Sequence, residues 1–172
     1  MLLELGPGTN PHPRMDVGID THHPYDAPHQ SACDPGERWR INKWGVVGEI
    51  ASDSVDEIYA SHLVEHVPKG APTIWMMNEA WRVLRPGGIF TMIMPIVGYT
   101  ANGASHLKAT YEPWADPTHV QLWYLPHSIE YFAVDGDIGP NAEYGLMLWE
   151  VVGNISETQA TYLLQINEQR EA

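Results

Sequence analysis

The chain opens with an apolar run that stops at two closely spaced glycines, and this start limits the folds available to it. Leu2–Leu5 has the length and composition of a buried strand. The turn Gly6–Gly8 follows, where glycine lets a ligand approach the backbone. A second short strand, Met15–Ile19, ends at Asp20, whose carboxylate is placed to accept hydrogen bonds from the two hydroxyls of a ribose. Strand, glycine turn and acid together predict a binding edge for a nucleotide-like ligand.

The glycine turn also fits a simpler interpretation. A dinucleotide-binding fingerprint needs a third glycine and an acid about 20 residues further on. This chain lacks the third glycine, and only 12 positions separate Gly8 from Asp20. Taken alone, Gly6–Gly8 is therefore explained equally well as a tight turn.

Shorter segments complete the expected sheet. Val55–Ala60 predicts a strand, and Ser61–Val67 predicts a short helical or loop segment. A third strand is expected near His29–Cys33, and residues 35–52 look like an insertion before the fourth strand. The last two expected strands are Gly145–Val152 and Thr161–Ile166. Strands that alternate with helices predict one α/β domain over residues 1–172.

The clearest predicted helix is Pro72–Leu84. Proline suits its first turn, and Arg85–Gly88 ends it, because proline cannot continue a helix and glycine tolerates the left-handed conformation. Its apolar side chains recur at helical spacing and predict core packing; they are Ile74, Met77, Trp81 and Leu84. The nearly all-apolar Ile89–Met94 then predicts a strand covered on both faces.

Charge and cysteine content exclude several classes of function. The 22 acidic residues against 9 basic ones give a net charge of −13, and the basic residues are not clustered, so strong nucleic-acid binding is not expected. Cys33 is the single cysteine, which excludes an internal disulfide and a multi-thiolate zinc site. The chain starts without a basic leader, and its longest apolar stretch, Ile89–Val97, is about half of the ~18 residues that a membrane helix needs. We expect a cytoplasmic protein that does not contact a membrane.

The ordered set of motifs resembles the class I S-adenosylmethionine-dependent methyltransferases, particularly the broad small-molecule group called type 11. LLELGPGTNP resembles the first motif of that family, and VGID resembles its ribose-binding second strand. SDSVDEIYASHLVEHV is similar to the fourth-strand region, and NEAWRVLRPGGIFTMIMP to the fifth helix and strand. DPTHVQLWYLPHSIEYF resembles a segment that follows the fifth strand in many members. The match covers about Leu2–Phe132 and implies a Rossmann-like fold: a mostly parallel seven-stranded sheet with an antiparallel last strand and reduced helices.

The resemblance also implies a binding site for S-adenosylmethionine. Glu4, Gly6 and Gly8 would line the methionine and ribose portion of this cofactor. Asp20 would hold the ribose hydroxyls. Asp34, after the expected third strand, would meet the adenine amine. Such a site agrees with the general rule that ligands lie beyond the carboxyl ends of the strands of an open sheet.

The same resemblance places Ser61 and His62 beside the sulfonium and the incoming substrate. Methyl transfer from a sulfonium needs in-line alignment and exclusion of water. A general base is required only where the acceptor is a protonated hydroxyl or amine. The candidates for that base are His62, His66, Asp116 and His119.

The chain departs from the family pattern at three places. It starts directly on the first strand, and only nine residues lie between Leu5 and Met15, so that the first helix must be short or absent. The third departure is the insertion at 35–52. The aromatic-rich region 96–143 is the expected substrate-recognition or lid segment. Water could be excluded either by this segment or by a homodimer that buries Trp114 and Trp123.

A competing motif is present at His62–His66, which matches H-x-x-E-H, the signature of inverted zinc peptidases. That function needs a long helix and a distant third ligand. In this chain a strand precedes the motif, and Pro68 interrupts any helix two residues after it. We therefore expect no metal ion and keep a zinc hydrolase as a minor alternative.

The sequence thus predicts an enzyme that transfers a methyl group from S-adenosylmethionine to a small-molecule acceptor. The alternative is a non-catalytic or accessory subunit that binds only cofactor or a partner. The missing N-terminal cover favours the alternative, whereas Gly6, Gly8 and Asp20 favour the enzyme. The compact length also suggests a virus-encoded or mobile version of the family.

Overall fold

The computed structural model describes residues 1–7, 10–19, 36, 38–43, 46–95, 117–120, 127–134, 147, 149–155 and 159–166. The described strands are β1 (Leu2–Leu5), β2 (Val17–Ile19), β3 (Arg40–Lys43), β4 (Val46–Glu49), β5 (Val55–Ser61), β6 (Leu84–Pro95), β7 (Glu150–Ile155) and β8 (Gln159–Gln165). The described helical segments are the 3₁₀ turn η1 (Val64–His66), α1 (Ala71–Val83) and α2 (His127–Glu130).

Six of these strands form one mixed sheet in the order β2-β1-β5-β6-β8-β7. β2, β1, β5 and β6 are parallel, whereas β8 runs antiparallel to both of its neighbours. The prediction of an antiparallel last strand is therefore confirmed. The sheet has six described strands, and the expected third strand near His29–Cys33 lies outside the described residues.

The neighbouring strands β1 and β5 differ in how completely they are buried. Every residue of β1 is buried, and Leu3 and Leu5 have no exposed surface. In β5, Val55 and Ile58 are likewise fully buried. β1 has both faces covered and is nearly all apolar in sequence, whereas the residues of β5 that lie between the buried ones are exposed or only partly buried.

Helix α1 packs one side on the sheet, but not quite the side that the periodicity predicts. Its buried residues are Thr73, Met76, Met77, Glu79, Ala80 and Val83. Of the predicted stripe, Met77 is buried, while Ile74 and Trp81 are only partly buried against the core. The sequence carries apolar residues on two adjacent stripes of this helix, and the packed one lies about one position away from the predicted one.

The end of α1 also differs from the prediction. The helix ends at Val83, and Leu84 is already extended and pairs with Val55 as the first residue of β6. The backbone N–H of Ser54 donates to the carbonyl of Val83, so the loop before β5 satisfies the last turn of the helix. Arg85–Gly88 therefore lies in an irregularity inside the strand.

β6 is covered less completely than its sequence predicts. Its even-numbered residues Phe90, Met92 and Met94 are fully buried. The intervening residues from Ile89 to Ile93 are only partly buried. One face of this strand is therefore sealed by the core, and the other, which the sequence also predicts to be covered, is only partly buried.

Two further segments pack onto this framework. Residues 10–15 form turns, which agrees with a short or absent first helix between β1 and β2. Phe132 and Trp149 are buried, and the backbone N–H of Trp149 donates to the carbonyl of Phe132 at 2.7 Å. This part of the region 96–143 therefore belongs to the core, while Trp114 and Trp123 lie outside the described residues.

Among the described residues, no helix combines the length and apolar character that crossing a membrane requires.

Within residues 35–52, β3 and β4 form a separate antiparallel hairpin that is tied to α1 by hydrogen bonds to Glu79 and Arg82, which pair with each other on the helix. The side chain of Glu79 is 2% exposed and accepts hydrogen bonds from Arg82 at 2.6 and 2.8 Å. It also accepts the backbone N–H of Trp39 at 2.9 Å, and Trp39 is fully buried. Arg82 reaches further, to the carbonyl of Ile50 at 2.8 Å. Glu79 and Arg82 thus hold the residue before β3 and the residue after β4 against the helix.

The charge state of Glu79 follows from these contacts. Burial opposes ionisation of its carboxyl group, but the hydrogen bonds from Arg82 and Trp39, with the charges of Arg82 and Arg38, outweigh that effect. The pKa of Glu79 therefore lies below its ordinary value of 4.5. Its contribution to folding is present at neutral pH and is lost as the pH falls through the lowered pKa.

We expect Glu79→Ala to lower the free energy of unfolding by about 3–5 kcal/mol, because it leaves the largely buried Arg82 without its counter-charge and Trp39 N–H without an acceptor. Urea unfolding at pH 7 measures this loss. Arg38→Ala is the control, since Arg38 is 47% exposed and contacts the same carboxylate at 3.3 Å. Its expected cost is about 1 kcal/mol or less. Equal losses in the two variants would contradict the assignment of Glu79 and Arg82 as the tie.

Candidate functional site

The topology of the sheet defines one edge at which a ligand site is expected. From β1 the chain proceeds to β2 on one side, and from β5 it proceeds to β6 on the other. β1 and β5 are parallel neighbours, with Leu5 opposite Ala60, so their carboxyl ends lie side by side. In open α/β sheets this change of direction is where ligands bind. The residues that follow the two strands, Gly6 and His62, are therefore at the candidate site.

Gly6 has a structural reason to be glycine. Its φ is +65°, a left-handed conformation that other residues adopt only at a cost. A Cβ atom at this position would lie 2.8 Å from Cδ1 of Leu63, which follows β5. The space beside Gly6 is thus filled by the protein itself, and this glycine allows the ends of β1 and β5 to pack together.

Glu4 is a buried acid in β1, with 4% of the residue exposed. Its Oε2 accepts the backbone N–H of His12 at 2.7 Å and so holds the chain that returns from β1 towards β2. Burial raises the pKa of the Glu4 carboxyl, and the hydrogen bond and charge of His12 offset part of that rise. The predicted cofactor-binding role of Glu4 stays a prediction, and the structure adds this role in closing the loop.

His62 stands at the carboxyl end of β5 in a strained backbone conformation. Its φ is +52°, which is uncommon for a residue with a side chain, and its N–H donates to the carbonyl of Ile93 at 2.8 Å. Ser61, the last residue of β5, pairs with Ile93 across the sheet. The His62 side chain is 45% exposed. Strain of this kind is often found at functional sites, and here it turns an imidazole outward at the ligand edge.

A second histidine, His119, comes close to His62 from residues 117–120, and the buried Glu65 lies between the two imidazoles. Glu65 Oε1 lies 3.3 Å from Nδ1 of His62 and 3.9 Å from Nε2 of His119. The side chains of Glu65 and His119 are 2% and 3% exposed. The rings of His66 and His119 contact edge to face at 4.7 Å between centroids. Glu65, His66 and His119, with His62 beside them, are called the η1 cluster below.

Backbone contacts hold residues 117–120 against η1. The N–H of Val120 donates to the carbonyl of Glu65 at 2.9 Å. Nδ1 of His66 lies 3.2 Å from the carbonyl oxygen of Thr118. The hydroxyl oxygen of Thr118 lies 3.1 Å from the same nitrogen, so both polar groups of Thr118 contact the His66 ring. These contacts enclose His119, which is why it is buried although it belongs to no helix or strand.

The structure brings together some of the predicted site residues. Glu4, Gly6, Ser61 and His62 lie at the carboxyl ends of β1 and β5, and His119 lies in the η1 cluster. The remaining predicted residues, Gly8, Asp20, Asp34 and Asp116, lie outside the described residues, and their roles stay predictions. Sequence reasoning did not assign a role to Glu65, although its place in the motif His62–His66 singled it out.

The inverted zinc-peptidase motif does not take the form that its function needs. The two histidines of that motif stand at i and i+4 on one helix. In this chain η1 spans only Val64–His66, and His62 lies outside it in a left-handed conformation. The residues whose donor atoms come together are instead Glu65, His66 and His119.

Comparison with known proteins assigns the fold. No protein-family description and no curated protein matches the chain in sequence. A chain in the complex between the Haloferax volcanii Trm112 methyltransferase activator and a candidate methyltransferase aligns with a TM-score of 0.53 and 15% identity, over 96% of this chain and 82% of that one. A SAM-dependent methyltransferase from Archaeoglobus fulgidus aligns with a TM-score of 0.53 and 11% identity, over 95% and 85%.

A third solved structure also matches. It is an N-methyltransferase from Haemonchus contortus in complex with phosphomonomethylethanolamine and S-adenosylhomocysteine. Its TM-score is 0.53 and its identity 13%, over 98% of this chain and 48% of that one. This chain therefore has the fold of the S-adenosylmethionine-dependent methyltransferases.

The contact between Gly6 and Leu63 predicts a measurable coupling. We expect Gly6→Ala to lower the free energy of unfolding by about 2–4 kcal/mol, from its left-handed backbone and the overlap with Leu63. Gly36→Ala is the matched control, since φ is +88° there and no described atom lies within 4 Å of the added Cβ. It should cost only about 1–2 kcal/mol. In Leu63→Ala the overlap is absent, so the two changes should be less than additive in urea unfolding; strict additivity would refute the contact.

The raised pKa of Glu4 predicts a pH-dependent difference in stability. An acid whose pKa is higher in the folded state than its ordinary 4.5 destabilises the fold when it is ionised. We expect Glu4→Gln, whose amide oxygen can still accept the N–H of His12, to be more stable than the parent at pH 7. The advantage should shrink as the pH falls below the raised pKa and vanish below 4.5. Thermal unfolding of the parent and Glu4→Gln at pH values from 7 down to below 4.5 measures this difference in stability. An advantage of Glu4→Gln that grows on acidification would contradict the raised pKa of Glu4.

Proposed function

We propose that this protein transfers a methyl group from S-adenosylmethionine to a small-molecule acceptor at the carboxyl ends of β1 and β5. The observation that carries the proposal is the pairing of these two strands at the change of direction of the sheet. The fold is shared with S-adenosylmethionine-dependent methyltransferases from three organisms. Fold alone does not define an activity, so the proposal rests on what this edge offers a ligand.

The residues at this edge fit the cofactor. The methyl donor carries a sulfonium cation and several polar groups, and the edge has the partly exposed His62 imidazole, the partly buried Ser61 and, within β1, the buried Glu4 carboxyl. The net charge of −13 also favours a cationic ligand. When bound, S-adenosylmethionine supplies an activated methyl group, and the protein has to orient the acceptor and exclude water.

Glu4, Gly6, Ser61 and His62 would hold the cofactor in this proposal, together with Gly8, Asp20 and Asp34. Gly6 contributes through the turn that brings β1 against Leu63, and Ser61 through its place at the end of β5. Asp20 follows β2, directly after Ile19, which is opposite Leu5 in the sheet. That placement supports a contact between the Asp20 carboxylate and the ribose hydroxyls.

His62 is our proposed general base for an acceptor that must lose a proton. Its imidazole is partly exposed at the ligand edge, and Glu65 Oε1 lies 3.3 Å behind its Nδ1. A carboxylate beside an imidazole fixes the orientation of the ring and stabilises the cation that forms when it takes a proton. His119, with a 3% exposed side chain, would act through Glu65 as a positioning residue. Asp116, just before residues 117–120, stays a candidate near the acceptor.

The acceptor we propose is a small amine or hydroxyl compound without a large negative charge. The excess of acidic residues, 22 against 9, repels polyanions such as nucleic acids. The Haemonchus contortus structure is a complex with phosphomonomethylethanolamine, so one neighbour in fold binds a molecule of this size.

A second candidate is a subunit that works only with a partner. The Haloferax volcanii structure is a complex of a methyltransferase activator with a candidate methyltransferase, and this chain covers 82% of the matched chain. In this alternative the chain binds cofactor weakly when alone, and a partner completes the site. The homodimer expected from Trp114 and Trp123 is a special case in which the partner is a second copy. A strict monomer in light scattering would exclude that case.

S-adenosylhomocysteine should raise the melting temperature of the purified chain, because a ligand that binds only the native state stabilises it by mass action. At a ligand concentration 100 times the Kd, the stabilisation should be about 2.7 kcal/mol. Asp20→Ala should fold and lose this shift. Glu49→Ala, which removes an exposed carboxylate from the hairpin, is the matched control and should keep it. An unchanged melting temperature of ligand-free protein at millimolar S-adenosylhomocysteine would overturn cofactor binding by the chain alone.

A further inference from the structure

We propose that Glu65, His66 and His119 form a binding site for a divalent metal ion of the zinc class. This inference goes beyond methyl transfer, which does not require a metal, and it departs from the expectation from sequence that the chain holds no metal ion. Each of the three residues offers one donor atom, and these atoms lie within 4.8 Å of one another. Ligands of a tetrahedral zinc ion, each about 2.1 Å from the metal, are about 3.4 Å apart. Small rotations of the side chains would therefore bring the three donors to one ion.

The burial of the Glu65 carboxylate without hydrogen bonds indicates that this cluster binds a further group. Its side chain is 2% exposed, and within the described part of the chain neither oxygen accepts a hydrogen bond. The nearby ring nitrogens of His62 and His119 are 3.3 and 3.9 Å from Oε1. A buried charge without hydrogen bonds is costly, and such groups are usually paired or coordinate a metal. Glu79, a buried acid of α1, by contrast accepts hydrogen bonds on both of its oxygens.

His66 is oriented in the way that metal-binding histidines are oriented. Its Nδ1 lies 3.2 Å from the carbonyl oxygen and 3.1 Å from the hydroxyl oxygen of Thr118. Histidine ligands commonly donate the N–H of one ring nitrogen to a backbone carbonyl, which fixes the tautomer and leaves the other nitrogen for the metal. In the tautomer that donates Nδ1–H to the Thr118 carbonyl, Nε2 is the donor atom that His66 offers. His119, the neighbour of Thr118 in the chain, contacts the His66 ring edge to face.

The donor set selects the kind of metal. Two imidazoles with one carboxylate form the protein ligands of several catalytic zinc sites, and imidazole suits zinc and its transition-metal neighbours. Magnesium and calcium prefer sites made entirely of oxygen. Three protein ligands leave a coordination position for water or for an oxygen or nitrogen of a small ligand.

The test uses the full chain without a histidine tag, stripped with a chelator and then titrated with Zn²⁺ alone. We expect one zinc ion per chain that survives dialysis, and a rise in melting temperature on zinc binding. Substitution with Co²⁺ should give the visible absorption of a four-coordinate site. His66→Ala should weaken zinc binding by more than the 10- to 100-fold loss typical for an outer-shell partner.

Glu65→Gln is a second test, which does not depend on His66→Ala being able to fold, and it compares stability with and without zinc. Without metal, this variant should be at least as stable as the parent, because it removes an ionised group that lacks hydrogen bonds. With zinc the order should reverse, since only the parent gains from the metal. His12→Ala is the matched control: it also removes one imidazole, while its backbone N–H can still donate to Glu4. No tightly held zinc in the parent, or an equal loss in His12→Ala, would overturn the site.

Discussion

The parallel pairing of β1 with β5 is the contact on which the rest of this molecule depends. Leu3 and Leu5 of β1 and Ile58 of β5 have no exposed surface, so the two strands form the centre of the core. Parallel neighbours cannot be joined by a tight turn, so the chain has to travel through β2 and the hairpin before it returns. The pairing also fixes the ligand edge, because Gly6 and the residues after Ser61 must then share one end of the sheet.

The candidate site combines this fixed edge with a segment from far along the chain. β1 and β5 supply Glu4, Ser61 and His62, and residues 117–120 supply His119. Glu65 lies between the two contributions, with its Oε1 near both imidazoles. A buried carboxylate is stabilised only by the groups that surround it. The geometry of the η1 cluster therefore depends on docking of 117–120, and the candidate base His62 depends on that geometry.

Local sequence predicted those parts of the fold that local physics determines. β1, β5 and α1 were predictable from apolar runs and helical spacing. The hairpin was not predicted as strands, because Arg40–Glu49 has no continuous apolar run and is held by Glu79, a residue that looks solvent-exposed in a helical pattern. The η1 cluster could not be predicted, because 54 positions separate Glu65 from His119 and no local pattern encodes their contact.

The docking of 117–120 on η1 has an evolutionary consequence. The N–H of Val120 and the carbonyl of Thr118 are main-chain contacts, and the Thr118 hydroxyl adds a side-chain contact, 3.1 Å from Nδ1 of His66. The main-chain contacts survive neutral drift, because nearly any residue supplies the same atoms. His119 is confined by the enclosed volume and lacks that freedom. The exposed side chain of Val120 can therefore diversify in size and polarity from one lineage to the next while the buried imidazole keeps its position.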